Sequence, residues 1–166
     1  MFCISLQQKQ PQMYPTLLTL HSLIRWLVLI FIVYSIFRAL VGYINNKPFS
    51  KSDNAFRHWT ATAAHLQLMI GMILYTQSPL VKYFWSNSGA ALQNPELTFF
   101  GVLHITLMIS AIVLLTIGSA LAKRKPTGKE KFRTILIWFS LALLIIFIAI
   151  PWPFSPLSNR PYLRIF

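Results

Sequence analysis

Apolar residues fall in four long blocks, at about residues 16–43, 56–77, 98–122 and 132–151, with none of the in/out alternation of a membrane-barrel strand. A hydrocarbon core takes about 20 helical residues to cross. Lipid leaves a spanning backbone no partner but itself, so such blocks read as helices. The pattern predicts an all-α integral membrane protein: one domain over residues 13–166, folded as a bundle of four transmembrane helices. The breaks differ in character. "NNKPFSKSDN" (45–54) is a polar turn, "KRKPTGKEK" (123–131) is short and basic, and "SPLVKYFWSNSGAALQNPE" (78–96) is longer. In that longer, second break Tyr83, Phe84 and Trp85 suit an interfacial aromatic belt. Residues 1–12, "MFCISLQQKQPQ", lack an apolar run followed by a small-residue cleavage site, so they do not read as a signal peptide. They are expected to be a disordered or over-called extension, with Met13 the more natural start.

Charge orients the bundle. The chain holds 15 Lys+Arg against 3 Asp+Glu, a net +12. That excess sits between apolar runs instead of on a polar face, which argues against nucleic acid as a partner and for a topology signal. Arg38, Lys47, Lys51 and Arg57 flank the first break, and Lys123, Arg124, Lys125, Lys129, Lys131 and Arg133 flank the third. Only Lys9, Lys82, Arg160 and Arg164 fall opposite. The expected topology is N-out/C-out. A single cysteine, Cys3, excludes an intrachain disulfide and a cysteine metal cluster.

Against this apolar background the polar residues stand out. At 1.5 Å per residue, His21 lies roughly 8 Å and Arg25 about 13 Å below the outer surface. His104 comes in at roughly 9 Å on a helix running the same way, and His65 near the midplane at about 15–18 Å. His58 belongs to the inner interface, beside Arg57 and Trp59. An intramembrane histidine is often satisfied by a neighbouring hydroxyl or carbonyl. Three on three helices point instead to a function.

Imidazole is a common axial ligand of haem iron, and helical bundles hold cofactors between facing helices. Two ligands approaching one iron need similar depth on different helices, a condition His21 and His104 meet best; His65 stands in reserve. Arg25 shares the His21 face. The acids Asp53, Glu96 and Glu130 all lie in or beside loops, so a haem propionate is its expected partner, with snorkelling to lipid phosphate the alternative. Met69 and Met108 follow His65 and His104 by four residues, which leaves copper open as a minor alternative. Zinc-protease signatures, glycine-rich phosphate loops and paired carboxylates are absent from the sequence. Any chemistry therefore belongs to a redox cofactor, and no protein-based catalytic constellation supports an enzyme.

"LLTLHSLIRWLVL" (17–29), "AHLQLMIGMILY" (64–75), "FFGVLHITLMISAIVLLTIG" (99–118) and "IPWPFSPLSNRPYLR" (150–164) resemble the small four-helix, cytochrome b-like membrane proteins of Bacteroidota-type bacteria. The resemblance runs from about Met13 to the C-terminus. It implies b-type haem, the bacterial inner membrane and electron transfer, with His21, His65 and His104 on the motif histidines and Arg25 on the motif arginine. Quinol or a periplasmic electron carrier is the expected redox partner. The competing reading is a non-redox accessory subunit of a larger membrane complex. The proline-containing C-terminal tail is expected to pack over the outer mouth of the bundle.

Overall fold

Four long helices run up and down around one core in the computed structural model, which describes residues 13–163; the expectation for residues 1–12 lies outside them. They are α1 (Met13–Ile44), α2 (Lys51–Gln77), α6 (His104–Arg124) and α7 (Gly128–Ala149). Between α2 and α6 the chain makes three short helices, α3 (Pro79–Ser86), α4 (Ser88–Ala91) and α5 (Pro95–Thr98), then a π-helical turn over Phe99–Leu103. Each of α1 and α6 packs on both α2 and α7, the α2–α6 seam being the thinnest. Helices α1 and α6 therefore face each other across the diagonal. No strand occurs among the described residues.

Three helical stretches are long and apolar enough to cross a membrane: Met13–Ile44, Pro95–Arg124 and Gly128–Ala149. By length and composition the chain is an all-helical, multi-pass membrane protein. The second block differs from the other three. Helix α2 has the length, at 27 residues, but Asp53, Arg57, His58, Thr60, Thr62, His65 and Gln67 dilute its hydropathy.

Small residues let the helices approach. Ala39, Ala111, Ala122 and Ala142 are buried at the seams, around Ile32, Leu115, Phe132 and Phe139. Lipid offers hydrocarbon no less apolar than a protein core, so close van der Waals contact holds such seams together. Two glycines mark the tightest approaches. A Cβ on Gly42 would lie 2.4 Å from the Phe132 ring, and one on Gly118 would lie 2.3 Å from the Trp138 Cβ.

The loops at 45–50 and 125–127 meet at one end, here termed the hairpin end. Asn46 closes α1 in the left-handed region (φ 49°), and the Lys47 amide returns to the Gly42 carbonyl at 3.0 Å. Gly128 then packs on the backbone of Lys47 and Phe49. Polar groups here are paired in chains. Ser50 and Asp53 form a capping box at the start of α2. Arg38 donates twice to Asp53 Oδ1, at 2.8 and 3.0 Å. The Ser35 and Thr60 hydroxyls pair at 2.8 Å. Arg57, read from sequence as a flanking charge, is 6% exposed and donates to the Ser119 carbonyl on α6 at 3.0 Å.

Two outcomes follow. Gly118→Val overpacks the α6–α7 seam and should cost about 1–3 kcal/mol, read as a lower unfolding midpoint in detergent. Gly89→Val, where a Cβ meets nothing within 4 Å, should leave the midpoint in place. Burial pushes the Asp53 carboxyl up, but the Ser50 hydrogen bonds and then Arg38 outweigh it and hold the group below its ordinary value. A carboxyl with a depressed folded pKa contributes stability that is complete above its unfolded value and is lost as pH falls through the folded one. Wild type should exceed Asp53→Asn in stability above about pH 4, with the gap closing in acid titration below that.

Candidate cofactor cavity

The opposite end, which holds Tyr14, the 78–98 segment and the C-terminal tail, encloses a cavity of about 190 Å³ between all four long helices. That volume counts positions open to a water's centre, and one water needs about 10–15 Å³ on the same measure. Its walls are mostly aliphatic, including Leu18, Val28, Leu68, Ile105 and Ile146. The side chains carrying chemistry into it are His21, Arg25, Gln67, His104 and Arg160.

His104 is set by two backbone irregularities. The π-helical turn before it bonds the His104 amide to the Phe99 carbonyl, five residues back. Such a turn leaves a carbonyl without its helical donor, and the Tyr75 hydroxyl donates to that of Gly101 at 2.7 Å. Gly101 is required there, since a Cβ would come within 2.5 Å of the Phe84 ring. On the far side, His104 Nδ1 donates to the Ala149 carbonyl at 2.8 Å. That carbonyl is free because the residue four positions on, Pro153, has no N–H. Pro151 likewise frees the Phe147 carbonyl, which accepts from the Trp152 indole at 2.8 Å. With Nδ1 donating, the neutral ring keeps its lone pair on Nε2.

His21 lies diagonally opposite on α1. Its ring rests over Gly71 of α2, where a Cβ would sit 3.1 Å from His21 Cε1. Gln67, one turn away on α2, donates its amide to the His21 backbone carbonyl at 2.8 Å. Three buried polar atoms in this region have no hydrogen-bond partner: His21 Nδ1, Gln67 Oε1 and Arg25 Nε.

Arg25 has a partner that the sequence did not suggest. Helical side chains lean towards the helix N-terminus, so Arg25 reaches up to donate to the Tyr162 carbonyl, which also accepts from the Trp26 indole at 3.2 Å. Arg160 pairs with Glu96 and lies over the Phe100 ring, 5.0 Å from its centroid. The tail thus crosses the cavity mouth, pinned from α1 and from α5. Trp152 is buried beneath it, while Phe154 and Tyr162 pack around Trp152 with their outer faces exposed.

Other sequence candidates lie elsewhere. His65 is exposed beside α6; its Nδ1 donates to the Ala61 carbonyl at 2.7 Å and the Thr116 hydroxyl lies 3.3 Å from its Nε2. Met69, one turn on, is 64% exposed, whereas Met108 lines the cavity with His104, so the two His–Met pairs are separated. His58 is exposed against Trp59. Gln67, Glu96 and Arg160 were not singled out from the sequence; for Gln67 the available signal was an amide between His21-level and midplane residues of α2.

Among the described residues no group of three or more His, Cys, Asp or Glu side chains is placed to hold a bare metal ion. No protein-family model, curated protein or solved structure matches the chain.

Breaking the pin at the mouth gives a direct test of the tail. Glu96→Gln or Arg160→Ala should speed proteolytic cleavage within 153–163 severalfold in detergent, with cleavage at 45–50 unchanged.

Proposed function

We propose that this protein binds one b-type haem between His21 and His104 and passes single electrons within a bacterial inner membrane. The observation that carries the reading is the diagonal pair of imidazoles lining one apolar cavity, with His104 already fixed through Nδ1 in the tautomer that offers Nε2. Bound haem would supply a one-electron ferric/ferrous couple. The chain's own residues do the rest. His21 and His104 hold the ligand from opposite sides. The aliphatic walls and the tail over the mouth exclude water. Arg25 and Arg160 line the cavity and would supply positive charge for a propionate carboxylate. Copper, held by imidazole and thioether, is the lesser reading, since only Met108 joins the histidine pair.

In this reading α2 is the fourth span, the hairpin end faces the cytoplasm, and both termini face outward, following the ten-to-four partition of flanking charge. The cavity then opens towards the outer leaflet, within reach of quinol or a periplasmic electron carrier. A second reading, a non-redox accessory subunit of a larger membrane complex, is favoured by the exposed stripe on α2, where His58, Trp59, Thr62 and His65 share one face. Polar groups on a lipid-facing helix surface commonly meet a partner helix.

The absorption spectrum separates the two. Protein purified from haem-replete cells should show a Soret band, and a colourless preparation would leave the accessory reading. His21→Ala or His104→Ala should abolish or shift the band, while His58→Ala and His65→Ala should retain it. A nearby cation repels the ferric form of a haem more than the less positive ferrous form, so removing it in Arg25→Leu should lower the midpoint potential. Reporter fusions at Gly128 and at the C-terminus should report opposite sides of the membrane.

A further inference from the structure

His104 and His21 are held differently: one has its Nδ1 partner and the other does not. The Gln67 carboxamide can lie only one way round. Its nitrogen donates to the His21 carbonyl at 2.8 Å, and a flip would set two carbonyl oxygens against each other. The remaining atom, Oε1, accepts only, and it is buried without a partner. So is His21 Nδ1. A buried polar atom left unpaired forfeits its hydration without return, and here two such atoms belong to side chains already joined through the His21 carbonyl.

A neutral imidazole carries its proton on one nitrogen only. With the proton on Nε2, Nδ1 and Gln67 Oε1 are both acceptors and neither is satisfied. With it on Nδ1, the same two atoms become donor and acceptor. Arg25 Nε, the third unpaired atom, is also a donor. The amide oxygen has two lone pairs and so has capacity for more than one donor.

We infer that Gln67 is the positioning residue of His21: its side-chain oxygen, through one bridging water, accepts the hydrogen bond of Nδ1–H and so presents the Nε2 lone pair to the cavity. Gln67 then does for His21 what the Ala149 carbonyl does for His104. Both imidazoles offer Nε2, from helices on opposite sides of the bundle. Partners of this kind fix ring orientation and raise ligand basicity. The use made of that lone pair rests on the haem reading, but the proton's position does not.

Nitrogen-15 NMR of the imidazole rings in haem-free protein in nanodiscs reads the tautomers. At neutral pH, His21 and His104 should both be protonated at Nδ1. In Gln67→Met, similar in size but lacking the carbonyl, His21 should move to Nε2–H or to a mixture while His104 keeps Nδ1–H and so reports an intact fold. Gln67→Glu retains an acceptor and should keep His21 on Nδ1. An Nε2–H His21 in wild type, an unmoved His21 in Gln67→Met, or loss of Nδ1–H in Gln67→Glu would overturn the inference. Titration with haem is the separate arm. Where wild type takes up haem, Gln67→Met should bind it about 10–100-fold more weakly, and equal affinity counts against the positioning role. If the tautomers behave as expected and wild type takes up no haem, the cofactor reading fails while the Gln67–His21 pairing stands.

Discussion

A carbonyl that loses its helical donor inside hydrocarbon must find another, and that constraint organises the end of the bundle that holds the cavity. Pro151 and Pro153 take away two amides just past α7, leaving the Phe147 and Ala149 carbonyls to be satisfied by side chains. Trp152 answers the first and His104 the second. One pair of imino acids thereby stops a helix, buries an indole and fixes the face of an imidazole on a neighbouring helix. The π-helical turn at Phe99–Leu103 works the same way from the other side, giving the Gly101 carbonyl to Tyr75, whose hydroxyl in turn accepts from Trp85 at 2.9 Å. Irregular backbone at these depths is tolerated only where such partners exist.

The two ends of the molecule treat polarity in opposite ways. At the hairpin end Arg38, Asp53, Arg57 and their hydroxyl and amide neighbours are joined in complete pairs between helices. That arrangement suits a purely architectural role, because satisfied polar networks hold helices in one register. At the cavity three buried atoms remain without partners. Polar atoms kept unsatisfied in a low dielectric are a cost to folding, and they are found where something else is to be bound or oriented.

Much of this was legible in the sequence. Four helical blocks, their breaks, and the matched depth of His21 and His104 follow from length and period alone, because hydrocarbon thickness acts as a ruler. The tail's position could be read from its aromatic and proline content. Long-range pairing could not. Arg25 was expected to need an anion because the acids are few and peripheral, yet a main-chain carbonyl from Tyr162 meets it, and carbonyls carry no signature in a sequence. The burial of Arg57 against Ser119 was hidden for a similar reason: a charge near a span end looks interfacial until the facing helix is known. His65 was set apart by its greater depth alone and held as a reserve ligand. Depth fixes the level of a residue but leaves its bearing around the helix open, and His65 faces out beside α6. A π-helical turn changes that bearing without changing composition, which is why its effect on His104 could not be foreseen.

The roof of the cavity has a further consequence in time. It is built from residues 151–163, which follow all four long helices along the chain, and the groups that pin it, Arg25, Trp26 and Glu96, belong to earlier segments. The roof is therefore the last wall of the cavity to be made. Pro151, Pro153, Pro156 and Pro161 limit the wandering of the free tail, so shutting it sacrifices little chain entropy.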